Sequence, residues 1–167
     1  MCGLASPRFD AMPAAPLTGK LRDETGDRLT PTHTKRRGRQ LRYYTSNRLI
    51  SGGTDPSGWR LPAPQLEHAV ANMIAKHIRN LARGHNLLAK ADLQAGDAIR
   101  DKALGLAERL SERAPELIRN LVSEGCIGTG RILLNLEATE LANELGPVSY
   151  THLRAHETIH AIAYAVF

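Results

Sequence analysis

Aromatic side chains are scarce: they make up 4% of the 167 residues. The core must therefore come from Leu, Ile, Val and Ala, and a hydrophobic content of 42% is enough to build one. Cysteine is nearly absent. Cys2 and Cys126 stand far apart, which excludes a disulfide scaffold and a Cys-rich zinc site and fits a reducing cytoplasm. No apolar run reaches the roughly 20 residues of a membrane-spanning helix. Met1 to Pro16 lacks the basic-then-apolar order of a secretory signal. The expected location is the cytoplasm, with no membrane partner. The length allows one domain or two small ones.

Positive charge is present in excess, and it is concentrated. The chain carries 22 Lys and Arg against 17 Asp and Glu, a formal charge of +5. Leu17 to Arg60 holds ten basic and four acidic residues, a net of +6, whereas Leu61 to Pro147 has ten basic and eleven acidic residues, a net of −1. One short segment carries the whole excess. Such a split points to a polyanion partner, most often nucleic acid, against the plainer alternative of a solvated basic face.

The patterning suggests an α+β chain: a small N-terminal β-ribbon without zinc, central helices, then a C-terminal β-hairpin and a short helix. Residues 1–16 read as a linker and 17–60 as the basic ribbon. Leu21 to Asp23, Thr25 to Asp27 and Arg28 to His33 read as strand, turn, strand. Lys35 to Gly38 forms a second turn and Gln40 to Ser46 a further strand, in which Tyr43 and Tyr44 face opposite sides. Ser51 to Gly58 is a loop.

Residues 61–124 read as helical. Pro62 and Pro64 precede Leu66, Val70, Met73, Ile74, Ile78 and Leu81, a helical period that Gly84 ends. Asn86 to Ala91 suits a short helix. Asp92 caps a longer one to about Ser111, whose stripe Ile99, Ala103, Leu106 and Leu110 suits core packing better than a subunit contact. Pro115 opens another short helix through Val122. Residues 125–147 read as a hairpin around Gly128-Thr129-Gly130, followed by a helix from Glu137 to Leu145.

Several residues carry candidate chemistry. Lys35, Arg36, Arg37, Arg39 and Arg42 fall in one short loop and strand, where each can neutralise a phosphate and each Arg can read a guanine edge. Tyr44 is either a phosphate ligand or simple sheet packing. His33 reads as a turn residue, and Trp59 as a packing anchor. Gly128-Thr129-Gly130 lacks the Gly-Lys-Ser/Thr of a phosphate loop. His68 and His77 fall on opposite sides of a helix. The charges from Asp97 to Arg113 read as a solvated face.

The run Pro16-Leu17-Thr18-Gly19-Lys20-Leu21, then Asp23 to His33, Arg39 to Tyr44 and Gly58 to Glu67, resembles the C-terminal part of serine site-specific recombinases, the resolvase and DNA-invertase relatives. The likeness extends to Ile132–Gly146 and covers about residues 13 to 147. It implies a DNA-binding portion of such an enzyme, with double-stranded DNA and other recombinase subunits as partners. The family's nucleophilic serine lies on a domain that nothing here resembles, so no catalytic residue is assigned and the chain alone is expected to be no enzyme. Many relatives close the ribbon with zinc-binding cysteine pairs. Asp23-Glu24-Thr25-Gly26 stands about where one pair would be and Thr45-Ser46 where the second would start, so neither metal nor cofactor is expected.

His156-Glu157-Thr158-Ile159-His160 matches H-E-x-x-H, the helix of zinc hydrolases. The context argues against it. Val148 to Thr158 resembles the translation of a sequencing-library adapter, and no third-ligand pattern follows. Residues 148–167 are therefore set aside as an artefactual tail. Two readings remain beside that hydrolase. The leading one is the DNA-binding fragment of a recombinase acting in DNA integration, inversion or resolution. The alternative is a stand-alone helical protein whose basic ribbon binds RNA or a protein.

Overall fold

A computed structural model describes residues 15–53, 55–83, 93–112, 114–146 and 156–161. The chain is α+β, with five helices and two small sheets among the described residues. One sheet has the order β2-β3-β4: Leu29–Arg36, Arg39–Ser46 and Arg60–Pro62, all antiparallel. The other has the order β1-β5-β6-β7: Leu21–Asp23, Val122–Gly128, Arg131–Glu137 and His156–Ala161. A short helix α1, Asn47–Ile50, follows β3. Helices α2 (Ala63–Arg83), α3 (Leu93–Ser111), α4 (Pro115–Leu121) and α5 (Ala138–Leu145) complete the fold.

Burial in the long helices follows their sequence period. Leu66, Val70, Ile74 and Ile78 of α2 are fully buried, and α2 packs along α3. Ile99, Ala103, Leu106 and Leu110 of α3 lie in the core, as their spacing suggests. Pro115 opens α4. Gly84, the short helix at Asn86–Ala91 and the cap at Asp92 lie outside the described residues. One apolar cluster joins Leu21 of β1, Tyr44 and Leu61 of the three-stranded sheet, α2, and the β5-β6 hairpin, and Trp59 packs against it.

The first strand departs from expectation. Leu21–Asp23, a turn and Leu29–Arg36 follow one another as the sequence suggests, but the two strands meet only at an isolated antiparallel bridge between Arg22 and Arg28. Instead β1 pairs in parallel with β5, setting Leu21 opposite Gly125. Local turn chemistry could not reveal a partner so far along the chain. The pairing depends on Gly125, where a Cβ would meet side-chain carbons of Leu21 and Leu134 at 2.8 Å each. Lys20 reinforces it by donating from Nζ to the carbonyls of Arg119 and Val122. Burial, and then the nearby Arg119, push the Lys20 pKa down.

Three smaller corrections follow. His33 lies within β2, opposite Arg42, and not in a turn. Arg60–Pro62, where the sequence pattern puts the boundary between the ribbon and the helical segment, forms strand β4 and pairs with Tyr43–Thr45. The tail, set aside as outside the fold, contributes β7 beside β6. As a strand, this segment separates positions 156 and 160 by roughly 13 Å of backbone, unlike the single helical turn that the H-E-x-x-H motif requires.

Candidate functional site

Strands β2 and β3 form an eight-residue ribbon closed by Arg37-Gly38. Both turn residues have positive φ, 49° at Arg37 and 76° at Gly38. This is the condition of the tight two-residue hairpin turn whose twist suits the strands, and Asn-Gly is its usual filling. An arginine in the left-handed region costs about 1–2 kcal/mol. The register also sets Arg36 directly opposite Arg39, a like-charge pair that disfavours the hairpin. The tip thus carries two features that weaken the folded ribbon, and both involve cations.

The third strand ends early. Strand β4 covers β3 only at Tyr43–Thr45, so the four pairs from His33–Arg42 to Arg36–Arg39 stand as a two-stranded finger of roughly 13 Å. Residues 33–40 are all exposed. Among the described residues, no carboxylate lies within salt-bridge reach of Lys35, Arg36, Arg37 or Arg39.

The other two candidates sit elsewhere. Arg42 turns inward, with Nη2 2.7 Å from both carboxylate oxygens of Glu67 on α2. Tyr44 is fully buried. Its hydroxyl donates to Glu67 at 2.9 Å and accepts from the Leu17 amide at 3.3 Å. Burial, and then the Glu67 carboxylate, push its ionisation far above the usual phenol range, so it remains a neutral donor. Of the alternatives for Tyr44, the buried side chain meets sheet packing and offers nothing to an external phosphate. These two residues dock the ribbon on α2.

Strand alternation sorts the ribbon into two faces. The inner face carries Leu29, Tyr44, Ser46 and Leu61 into the core. The outer face carries Thr34, Arg36, Arg39, Tyr43 and Arg60. Arg60 lies over the Tyr43 ring, 4.5 Å from its centroid, and donates to Thr34 Oγ1 at 2.8 Å. Sequence reading singled out no role for Arg60. The only signal was its place in the Trp59–Leu61 stretch, too short to announce a strand.

A polar knot closes the ribbon's base. Asp23 is buried; its Oδ1 accepts from the Thr25 amide, the Thr25 hydroxyl and the Asp27 amide at 3.0, 2.6 and 3.1 Å. Its Oδ2 takes the Ser46 hydroxyl at 2.8 Å and Arg48 Nη1 at 2.6 Å. Arg48 also meets Asp27 at 3.3 Å and Asp55 at 3.0 Å. Burial alone would raise the Asp23 pKa, but hydrogen bonds from Thr25, Ser46 and the Thr25 and Asp27 amides outweigh it and hold it below the ordinary value. The structure thus brings together Asp23, Thr25 and Ser46. A zinc ion does not fit there, because the Arg48 guanidinium already meets the carboxylate. Among the described residues no group of three or more His, Cys, Asp or Glu is arranged to hold a metal ion.

No protein-family model matches the chain, and no curated protein or solved structure matches it. No helix among the described residues is long and apolar enough to cross a membrane.

Proposed function

We propose that this chain binds double-stranded DNA through the β2-β3 ribbon, as the DNA-binding portion of a serine site-specific recombinase acting in the cytoplasm. In this reading strand exchange is performed by a serine domain that is not part of this sequence, and the chain alone catalyses nothing. The observation that carries the reading is the tip itself: Lys35, Arg36, Arg37 and Arg39 on a projecting finger, without carboxylate partners among the described residues. A polyphosphate would relieve the Arg36–Arg39 repulsion that the folded chain leaves in place. A two-stranded ribbon is narrow enough for a major groove about 12 Å wide. Arg42 and Tyr44 support the finger from behind and are not assigned to the DNA.

Gel-shift titration of the full chain against duplex DNA tests this. Retardation that weakens as salt rises is expected. Retardation of single-stranded RNA at far lower protein concentration than duplex would favour the RNA-binding alternative, and no retardation of duplex at low salt would end the DNA reading.

A further inference from the structure

We infer that Arg60 is a second phosphate anchor, held from β4 just behind the ribbon's tip, and that duplex DNA meets the face carrying Arg36, Arg39 and Arg60. The inference rests on the DNA-binding reading and goes beyond it by choosing a face and adding a residue that belongs to another strand.

The choice of face is geometric. The inner face is occupied: Arg42 and Tyr44 bind Glu67, and Leu29, Tyr44 and Leu61 are in the core. A duplex approaching from that side would meet α2. The outer face presents Arg36, Arg39 and Arg60, all of which are exposed.

The role of Arg60 follows from how it is held. A free arginine loses rotamer entropy when it binds a phosphate. Arg60 has already lost part of it, because the Tyr43 ring supports its guanidinium and the Thr34 hydroxyl accepts a hydrogen bond from it. A guanidinium has five N–H donors, so most remain for a phosphate fork. No carboxylate among the described residues neutralises it. Arg60 pairs in register with Thr45, but its guanidinium reaches forward to Thr34, two residues along β2 from Arg36 and so roughly 7 Å of backbone behind it. A finger entering a groove tip-first would bring Arg36 and Arg39 to its floor and leave Arg60 near the phosphate rim. Tyr43 is then a positioning residue: it acts through Arg60 and touches no DNA.

The test uses the full chain, a fixed duplex and a salt series, with wild type, Arg60→Gln, Arg60→Lys, Tyr43→Leu and Lys35→Gln. Arg60→Gln should weaken binding and reduce the magnitude of the salt slope by about 0.9, as expected when one phosphate is no longer neutralised. Arg60→Lys should keep the slope yet bind more weakly, since lysine cannot make the planar fork. Tyr43→Leu should weaken binding with the slope nearly kept, because the charge survives but is no longer held. Lys35→Gln, on the inner-face register, should cost less than Arg60→Gln. Thermal midpoints of all variants separate these effects from unfolding. If wild type binds duplex and Arg60→Gln, still folded, matches it in affinity and slope, the anchor is refuted while the DNA reading stands. If wild type does not bind, the DNA reading fails and this inference with it.

Discussion

Nη2 of Arg42 lies 2.7 Å from each carboxylate oxygen of Glu67, joining the ribbon to the first long helix. The Tyr44 hydroxyl shares the same carboxylate at 2.9 Å. Both side chains of the pair are mostly shielded, with 11% and 17% of their surfaces exposed. Exposed pairs contribute about 1 kcal/mol or less, and breaking a fully buried one costs about 3–5 kcal/mol. Glu67→Gln should therefore lower stability by about 2 kcal/mol in urea unfolding. The salt slope of DNA binding should stay close to wild type, because the cations at the tip are untouched.

Arg37 is a case in which stability and binding should move in opposite directions. Its φ of 49° suits asparagine better than arginine. Arg37→Asn should stabilise the fold by up to about 1 kcal/mol. The same change should reduce the magnitude of the salt slope by about 0.9 if Arg37 meets a phosphate. Thermal melting and anisotropy titration of one protein preparation check both.

Asp23 sets an acid limit. Its folded pKa lies below the ordinary value of 3.8. A depressed carboxyl contributes stability that is fully present above its unfolded value and is lost as pH falls through its folded value. Unfolding free energy should thus fall with decreasing pH below about 4. Asp23→Asn should be less stable at neutral pH, with a smaller drop as pH falls below about 4.

Gly125 admits no side chain between Leu21 and Leu134. Gly125→Ala should cost about 1–3 kcal/mol through overpacking. Hydrogen exchange at the β1-β5 pairing should rise before exchange at the β2-β3 finger does, because the finger pairs independently of β1.

How much of this was legible in the sequence differs by element. The helices were, because Leu66, Val70 and Ile74 or Ile99, Ala103 and Leu106 repeat at helical spacing, and burial follows that period. The β2-β3 finger was also legible, since Gly38 marks the turn and Tyr43-Tyr44 the strand. The parallel partner of β1 was not: nothing local in Leu21–Asp23 encodes β5. The inward turn of Arg42 was hidden for the same reason, because Glu67 lies 25 residues on and only the docked helix brings it close. Arg60 was missed because three residues are too few to show alternation. The strand His156–Ala161 escaped notice because the adapter-like run from Val148 to Thr158 took the tail out of fold reasoning, whereas an open edge on β6 accepts a strand.

The most direct measurement is the salt dependence of duplex binding by the full chain beside Arg36→Ala/Arg37→Ala/Arg39→Ala. Wild type should lose affinity steeply as salt rises. The triple variant should show a slope smaller in magnitude by about 3, close to one unit for each phosphate that goes unneutralised. Equal affinity and equal slope for the two proteins, both folded, would contradict the account and take the finger out of DNA recognition.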